Sequence, residues 1–162
     1  TIPVGSDRKS KQKKEKMKII EVTEYSEAAE KAILRLLPQL SASAKRPTTA
    51  EIKDLIREEA SILLMAIEED QDGTAAGMLT LAVFRIPTGV RAWIEDVVVD
   101  EDRRGQGVGE QLVQAAIERA RTAGAITVDL TSRPSREAAN RLYRRCGFVQ
   151  RETNIYRFSI ES

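Results

Sequence analysis

Three glycines alternate at Gly105, Gly107 and Gly109, behind Arg103 and Arg104 and directly ahead of an amphipathic run. That spacing makes an anion cradle. Glycines tolerate the left-handed backbone that turns successive N–H groups into one concavity, and a helix N-terminus adds the positive end of its dipole. A phosphate or pyrophosphate is the ligand such a loop suits. Two carboxylates, Glu95 and Asp96, stand upstream, and a phenol, Tyr143, stands downstream. The chain has no histidine. Ser-His and Cys-His nucleophile pairs, histidine-zinc sites and histidine bases are therefore excluded, and proton transfer falls to Asp, Glu, Tyr, Lys, water or the backbone.

Two common phosphate loops fit poorly. A Walker A loop needs Lys-Ser/Thr after its last glycine, where this chain has Glu110 and Gln111. A dinucleotide fingerprint finds Gly105 and Gly107 but then Glu110, a carboxylate placed near a pyrophosphate. Asp129 does stand at a suitable distance for a ribose contact. That fingerprint opens its domain on the first strand, however, and here antiparallel strands precede it.

The elements that must carry these groups follow from periodicity and breakers. Met17–Thr23 reads as a strand and Ser26–Leu40 as a helix, with Ala29, Ile33, Leu36, Leu37 and Leu40 on one face and Pro38 ending or bending it. Thr48 and Glu51 form a capping box ahead of a second helix. Ile62–Glu68, Ala75–Ile86 and Val90–Val99 are strands joined by the turns Asp70–Gly73 and Pro87–Gly89, an antiparallel meander. A helix over Gly107–Ala123 stops at Gly124 and leads to a strand, Ile126–Thr131, which the crossover sets parallel to Val90–Val99. Ser135 caps a last helix ending at Gly147, with Ala139, Leu142, Tyr143 and Cys146 inward, and Phe148–Gln150 and Asn154–Ile160 read as closing strands. The fold class is α+β with a mixed sheet.

At 162 residues the chain is one domain with a sizeable core. Residues 1–16 carry six Lys/Arg against two acids, a local +4 that leaves −3 for the rest of a +1 chain. They read as a basic flexible tail or a remnant of cloning, with residues 17–162 as the domain and Met17 as a natural start; nucleic-acid binding through the tail is the weaker alternative. The single cysteine, Cys146, excludes an internal disulfide and a zinc cluster, and no apolar stretch spans a bilayer. The expectation is a cytoplasmic protein with no metal.

Arg104-Gly105-Gln106-Gly107-Val108-Gly109 matches R-x-x-G-x-G, and it follows a strand ending Val97-Val98-Val99-Asp100. About thirty residues later, Asn140 to Phe148 (NRLYRRCGF) ends in L-Y-x-x-x-G-F. These two signatures, in this element order, resemble the acyl-CoA loop and final helix of the GCN5-related N-acetyltransferases, the GNAT superfamily, over residues 17–160. Trp93-Ile94-Glu95-Asp96-Val97 also resembles the corresponding strand of diamine and glucosamine-phosphate N-acetyltransferases.

The resemblance implies a mostly antiparallel mixed sheet of six to seven strands, with a central parallel pair and about four helices. It implies acetyl-CoA as acyl donor and an amine as acceptor. Arg103, Arg104, Gly105, Gln106, Gly107, Val108 and Gly109 would hold the pyrophosphate. Val97, Val98 and Val99 would lie where the strand splays from its parallel neighbour, pairing with the pantetheine arm and offering an N–H to the thioester oxygen. Glu95 is the candidate base, sharing a strand face with Trp93, Val97 and Val99 while Asp96, the second choice, faces away. Tyr143 is the candidate acid for the departing thiolate. The family's pantetheine-binding asparagine falls at Arg136 here, which leaves Ser135, Arg136 or Asn140 as stand-ins. Cys146 reads as a core residue rather than a nucleophile. Acceptor candidates are Gln39, Ser41, Ser43, Lys45, Arg46, Arg85 and Arg91.

A small primary amine is the first acceptor class, and a protein or peptide amine the alternative. The rival from another class is an acyl-CoA-binding module without catalysis. Family analogy adds a homodimer.

Overall fold

Alternating and continuous apolar runs build five strands among the described residues, which in this computed structural model are 17–69 and 73–160. They are β1 (Met17–Glu21), β2 (Ser61–Glu68), β3 (Ala75–Ile86), β4 (Gly89–Val99) and β5 (Ala125–Asp129). One sheet holds them in the order β1-β2-β3-β4-β5. The first four run antiparallel to their neighbours, and β5 lies parallel to β4. The parallel arrangement follows from the helical crossover between those two strands.

Four α-helices cover the sheet: α1 (Glu27–Leu40), α2 (Thr49–Arg57), α3 (Val108–Thr122) and α4 (Glu137–Arg145). Local chemistry sets their starts. The Ser26 hydroxyl accepts from the Ala29 N–H at 3.1 Å. At α2 the capping box is complete, with the Thr48 N–H donating to Glu51 at 2.7 Å and the Glu51 N–H to Thr48 at 3.2 Å. Pro38 sits in the last turn of α1, and the helix continues to Leu40.

The sheet separates two apolar clusters. On one face Leu64, Leu79, Leu81, Ala92 and Ile94 pack against Val108, Leu112, Val113 and Ala116 of α3 and against Tyr143 of α4. On the other, Leu63, Met65, Met78 and Val98 meet Ile33 and Leu36 of α1 and Ile52 of α2. Full burial of a leucine such as Leu36 contributes about 2 kcal/mol, and Leu36 is 0% exposed.

The expected six to seven strands with a central parallel pair become five, with that pair at one end of the sheet. Phe148–Gln150 and Asn154–Ile160 form no strands. Their outer residues find no partner strand among the described residues and remain exposed. Ser135 does not cap α4. Arg136 occupies the N-cap position and makes no side-chain cap bond. The basic tail and most of the Asp70–Gly73 turn lie outside the described residues.

Candidate active site

β4 does two irregular things, and both make room. Its parallel pairing with β5 runs only from Val90 to Trp93. Beyond Trp93 the two strands part, and the β5-facing side of Val97–Val99 has no partner strand. On the β3 side the register shifts between Met78 and Thr80: Val98 lies opposite Met78, but Glu95 lies opposite Thr80. Asp96 and Val97 thus oppose the single residue Leu79, which is a β-bulge. Asp96 takes φ +52°, the one left-handed non-glycine residue among those described.

The bulge reverses the strand's face alternation. Ala92 and Ile94 point into the α3 cluster, and so do Val97 and Val99, while Val98 points to the α1 side. Glu95 therefore shares a face with Trp93, whose indole N–H donates to its carboxylate at 2.7 Å. It does not share a face with Val97 and Val99, as strict alternation predicts. Glu95 and Asp96 are both exposed, and neither lines the cleft described next. Burial first, then the Glu95 charge, raises the Asp96 carboxyl above the usual range.

A cleft of about 960 Å³ opens beside the parted strands. Val97, Val98 and Val99 form one wall, Arg103, Arg104, Gly105, Gly107, Val108 and Gly109 its end, and Ser135, Arg136 and Tyr143 the opposite side. The structure thereby unites residues spread over the second half of the sequence. Gly105 and Gly107 adopt φ +74° and +81°, and a Cβ on either would meet nothing within 4 Å. Gly107 is the N-cap of α3 and offers no side-chain cap. The first intrahelical bond there runs from the Gln111 N–H to the Gly107 carbonyl at 3.1 Å, so the amides of Val108, Gly109 and Glu110 have no helical acceptor. Open space beside unsatisfied amides suits a pyrophosphate.

Three predicted ligand residues are otherwise engaged. Arg103 forms an ion pair with Glu68 of β2, with its Nη2 at 3.2 Å from Oε2, and that carboxylate is 3% exposed. Arg103 thus fastens the loop to the sheet, with its charge matched, although it borders the cleft. Gln106 donates to the Asp102 carbonyl at 3.2 Å and does not line the cleft. Asn140 also lies outside the lining: its amide donates to the carbonyls of Arg133 (3.0 Å) and Pro134 (3.5 Å), which shapes the turn into α4.

Tyr143 is 7% exposed and packs edge-on against Phe148, ring centres 6.0 Å apart. Burial raises its phenol above the ordinary range, with Arg136 opposing part of the effect. It therefore stays protonated at neutral pH. Cys146 is half-buried and its thiol is raised, chiefly by burial, which disfavours the thiolate.

The sequence reading missed Leu40, Glu110, Glu137, Arg141 and Arg145 as lining residues. Glu137, Arg141 and Arg145 recur every fourth residue, so helical spacing alone put them on one face. Glu110 faces Arg145 across the cleft at 3.8 Å, which offsets a carboxylate otherwise at odds with an anion site. Of the acceptor candidates, only Gln39 borders the cleft; it accepts from the Glu101 N–H at 2.9 Å. Ser41 and Ser43 contact each other at 3.3 Å, and Arg91 donates to Thr88 at 3.4 Å.

Residues 25–148 match the model of the Acetyltransferase (GNAT) family. The chain belongs to this family. It is 30% identical over 131 residues to glucosamine 6-phosphate N-acetyltransferase 1 of Oryza sativa subsp. japonica, covering 77% of this chain and 78% of that protein. Its fold matches that of an aminoglycoside acetyltransferase from an uncultured soil metagenomic sample, with a TM-score of 0.79 at 19% identity over 90% of this chain and 97% of the other. It also matches AAC(6')-Iy in complex with the bisubstrate analogue CoA-S-monomethyl-acetylneamine, with a TM-score of 0.71 at 18% identity over 90% and 99% of the two chains. The protein is thus a GNAT-family N-acetyltransferase.

Proposed function

We propose that this acetyltransferase moves an acetyl group from acetyl-CoA to the primary amine of a small molecule, by direct attack in a ternary complex. One observation carries the reading: the gap between β4 and β5 runs into the open amides of the glycine loop and past Tyr143. Acetyl-CoA supplies an activated acyl thioester and a thiol leaving group.

The residues divide the work. Amides of Gly105–Glu110 and the guanidinium of Arg104 hold the pyrophosphate, and Ser135 and Arg136 border the path toward the thioester. A backbone N–H near Val99, free of β5, steadies the negative charge that gathers on the thioester oxygen. As the carbon–nitrogen bond forms, Glu95 takes the proton the amine loses, its carboxylate held by the Trp93 indole. As the carbon–sulfur bond breaks, Tyr143 gives its proton to the sulfur. Glu95 and Tyr143 belong to opposite faces of the sheet, and the parted strands are where both faces meet one gap.

The small-molecule assignment draws on the glucosamine 6-phosphate and aminoglycoside enzymes this chain is similar to. The test is thiol release from acetyl-CoA with glucosamine 6-phosphate, an aminoglycoside, free amino acids and a lysine peptide. Release with a small amine is expected. Release with the peptide alone reassigns the acceptor to a protein amine, and tight coenzyme A binding with no release on any amine overturns the enzymatic mechanism.

A further inference from the structure

The chain is held firmly just before the glycine loop opens. Asp100 precedes the short turn Glu101–Arg103, is 8% exposed and forms an ion pair with Arg35 of α1. The same guanidinium donates to the Ala75 carbonyl at the start of β3. The Asp100 N–H donates to the Ala76 carbonyl at 2.8 Å, and its carboxylate accepts from the Asp102 N–H at 3.2 Å. The Arg103 N–H returns to the Asp100 carbonyl at 2.8 Å, and the Arg104 N–H to that of Glu101 at 3.4 Å.

One amide of this turn is satisfied from far away. The Glu101 N–H donates to the side-chain oxygen of Gln39, across 62 positions of sequence, at 2.9 Å. The Gln39 amide nitrogen reaches back to the Arg35 carbonyl at 3.5 Å, which leaves the oxygen for the turn. Pro38, directly before it, has a fixed φ and stiffens the helix end that carries Gln39. The amides of residues 101–104 thus all have protein acceptors, whereas those of residues 105–110 have none among the described residues. A ligand can begin where the protein stops using its own amides.

Gln39 borders the cleft, but its acceptor oxygen is engaged by Glu101. We propose that Gln39 is a positioning residue for the acyl donor: by tying Glu101 to the end of α1, it sets the direction in which the amides of residues 105–110 face the pyrophosphate. This rests on the reading of the loop as the coenzyme A site. The Gln39–Glu101 bond is exposed, so water takes the freed amide when Gln39 is replaced, and the fold loses little. Preorganisation is what goes, because the loop must then be ordered at the expense of binding.

The test is calorimetric titration of the full chain with coenzyme A, alongside urea unfolding. Gln39→Met keeps the length of the side chain and removes the acceptor. It should weaken coenzyme A about fivefold, in line with the cost of ordering one more mobile group, with an unchanged urea midpoint. Glu101→Pro removes the N–H instead. Proline suits the place, since Asp100 has ψ 133° and Glu101 is the first residue of its turn. Adding Gln39→Met to Glu101→Pro should change affinity by no more than about twofold. The Gln39→Met comparison stands by itself if the proline chain does not fold. Wild-type affinity in Gln39→Met overturns the positioning role. So does an equal loss in both backgrounds, which would make Gln39 a direct ligand contact, and so does a midpoint that falls together with affinity. A wild-type chain that does not bind coenzyme A is a separate result: it overturns the coenzyme A site itself, and this role with it.

Discussion

The glycine loop after β4 and the bulge inside β4 both leave regular backbone, and they do so by opposite means. At Gly105 and Gly107 the left-handed conformation is free of steric penalty, and the vacant Cβ positions become room for a ligand. At Asp96 the same region of backbone is held by a residue with a side chain. Strand pairing on both sides of the bulge must impose it, since β3 holds Val98 opposite Met78 and Glu95 opposite Thr80. The loop is therefore a site its local sequence permits, while the bulge is a site the sheet enforces. Under the proposed mechanism the first holds the acyl donor, and the second sets which way Glu95 and Asp96 face.

Three sets of substitutions test this contrast. The largest effect is expected where the loop depends on the sheet after all, through Arg103 and buried Glu68. Arg103→Met should lower unfolding free energy by about 3 kcal/mol, because it strands a buried carboxylate, and the double Glu68→Met/Arg103→Met chain should recover most of the loss in a urea titration. An unchanged midpoint in the single variant would mean that the loop stands without its anchor.

Next comes Tyr143→Phe, which should reduce turnover about 100-fold, in the range general acids supply, with coenzyme A affinity within about twofold. Because burial raises the phenol, the wild-type rate should hold well into alkaline pH and fall only as Tyr143 loses its proton above its usual range. Equal loss of affinity and turnover would make Tyr143 a wall of the cleft and nothing more.

The smallest effect concerns the bulge itself. Asp96→Val puts a β-branched side chain at φ +52°, which should cost about 1–2 kcal/mol, whereas Asp96→Gly should stay within about 0.5 kcal/mol as relieved strain offsets added chain entropy. The raised Asp96 carboxyl has a matching sign. A carboxyl raised in the fold favours the folded state below its unfolded value, and that advantage is lost as pH rises through the folded value. Asp96→Asn should flatten that part of the stability curve on the mildly acidic side. Equal destabilisation by Val and Gly would show that the side chain's contacts, and not its backbone angle, hold the bulge.

Much of this was legible before any coordinates. The capping box at Thr48 and Glu51, the start of α3 after Gly107, the meander of β2 to β4 and the parallel return of β5 all depend on contacts a few residues apart or on a crossover of fixed hand. Their chemistry is local, so residue types suffice. The same holds for the glycine loop, whose left-handed turns and open amides need only glycines and a helix start.

Register is not local, and there the tertiary structure decided. Nothing in Trp93-Ile94-Glu95-Asp96-Val97 announces that two residues will oppose one on β3, so simple alternation put Glu95 on the wrong side of Val97. The fate of Arg103 turned on Glu68, thirty-five positions away, and that of Asn140 on the carbonyls of its own turn. The final strand-like residues carry a strand's alternation but pair with no strand among the described residues, since a strand is completed only by a neighbour's backbone. Sequence by itself determined where the backbone opens after β4, because backbone freedom and charge belong to individual residues. The sheet determined which carboxylate faces which way, because pairing belongs to no single strand.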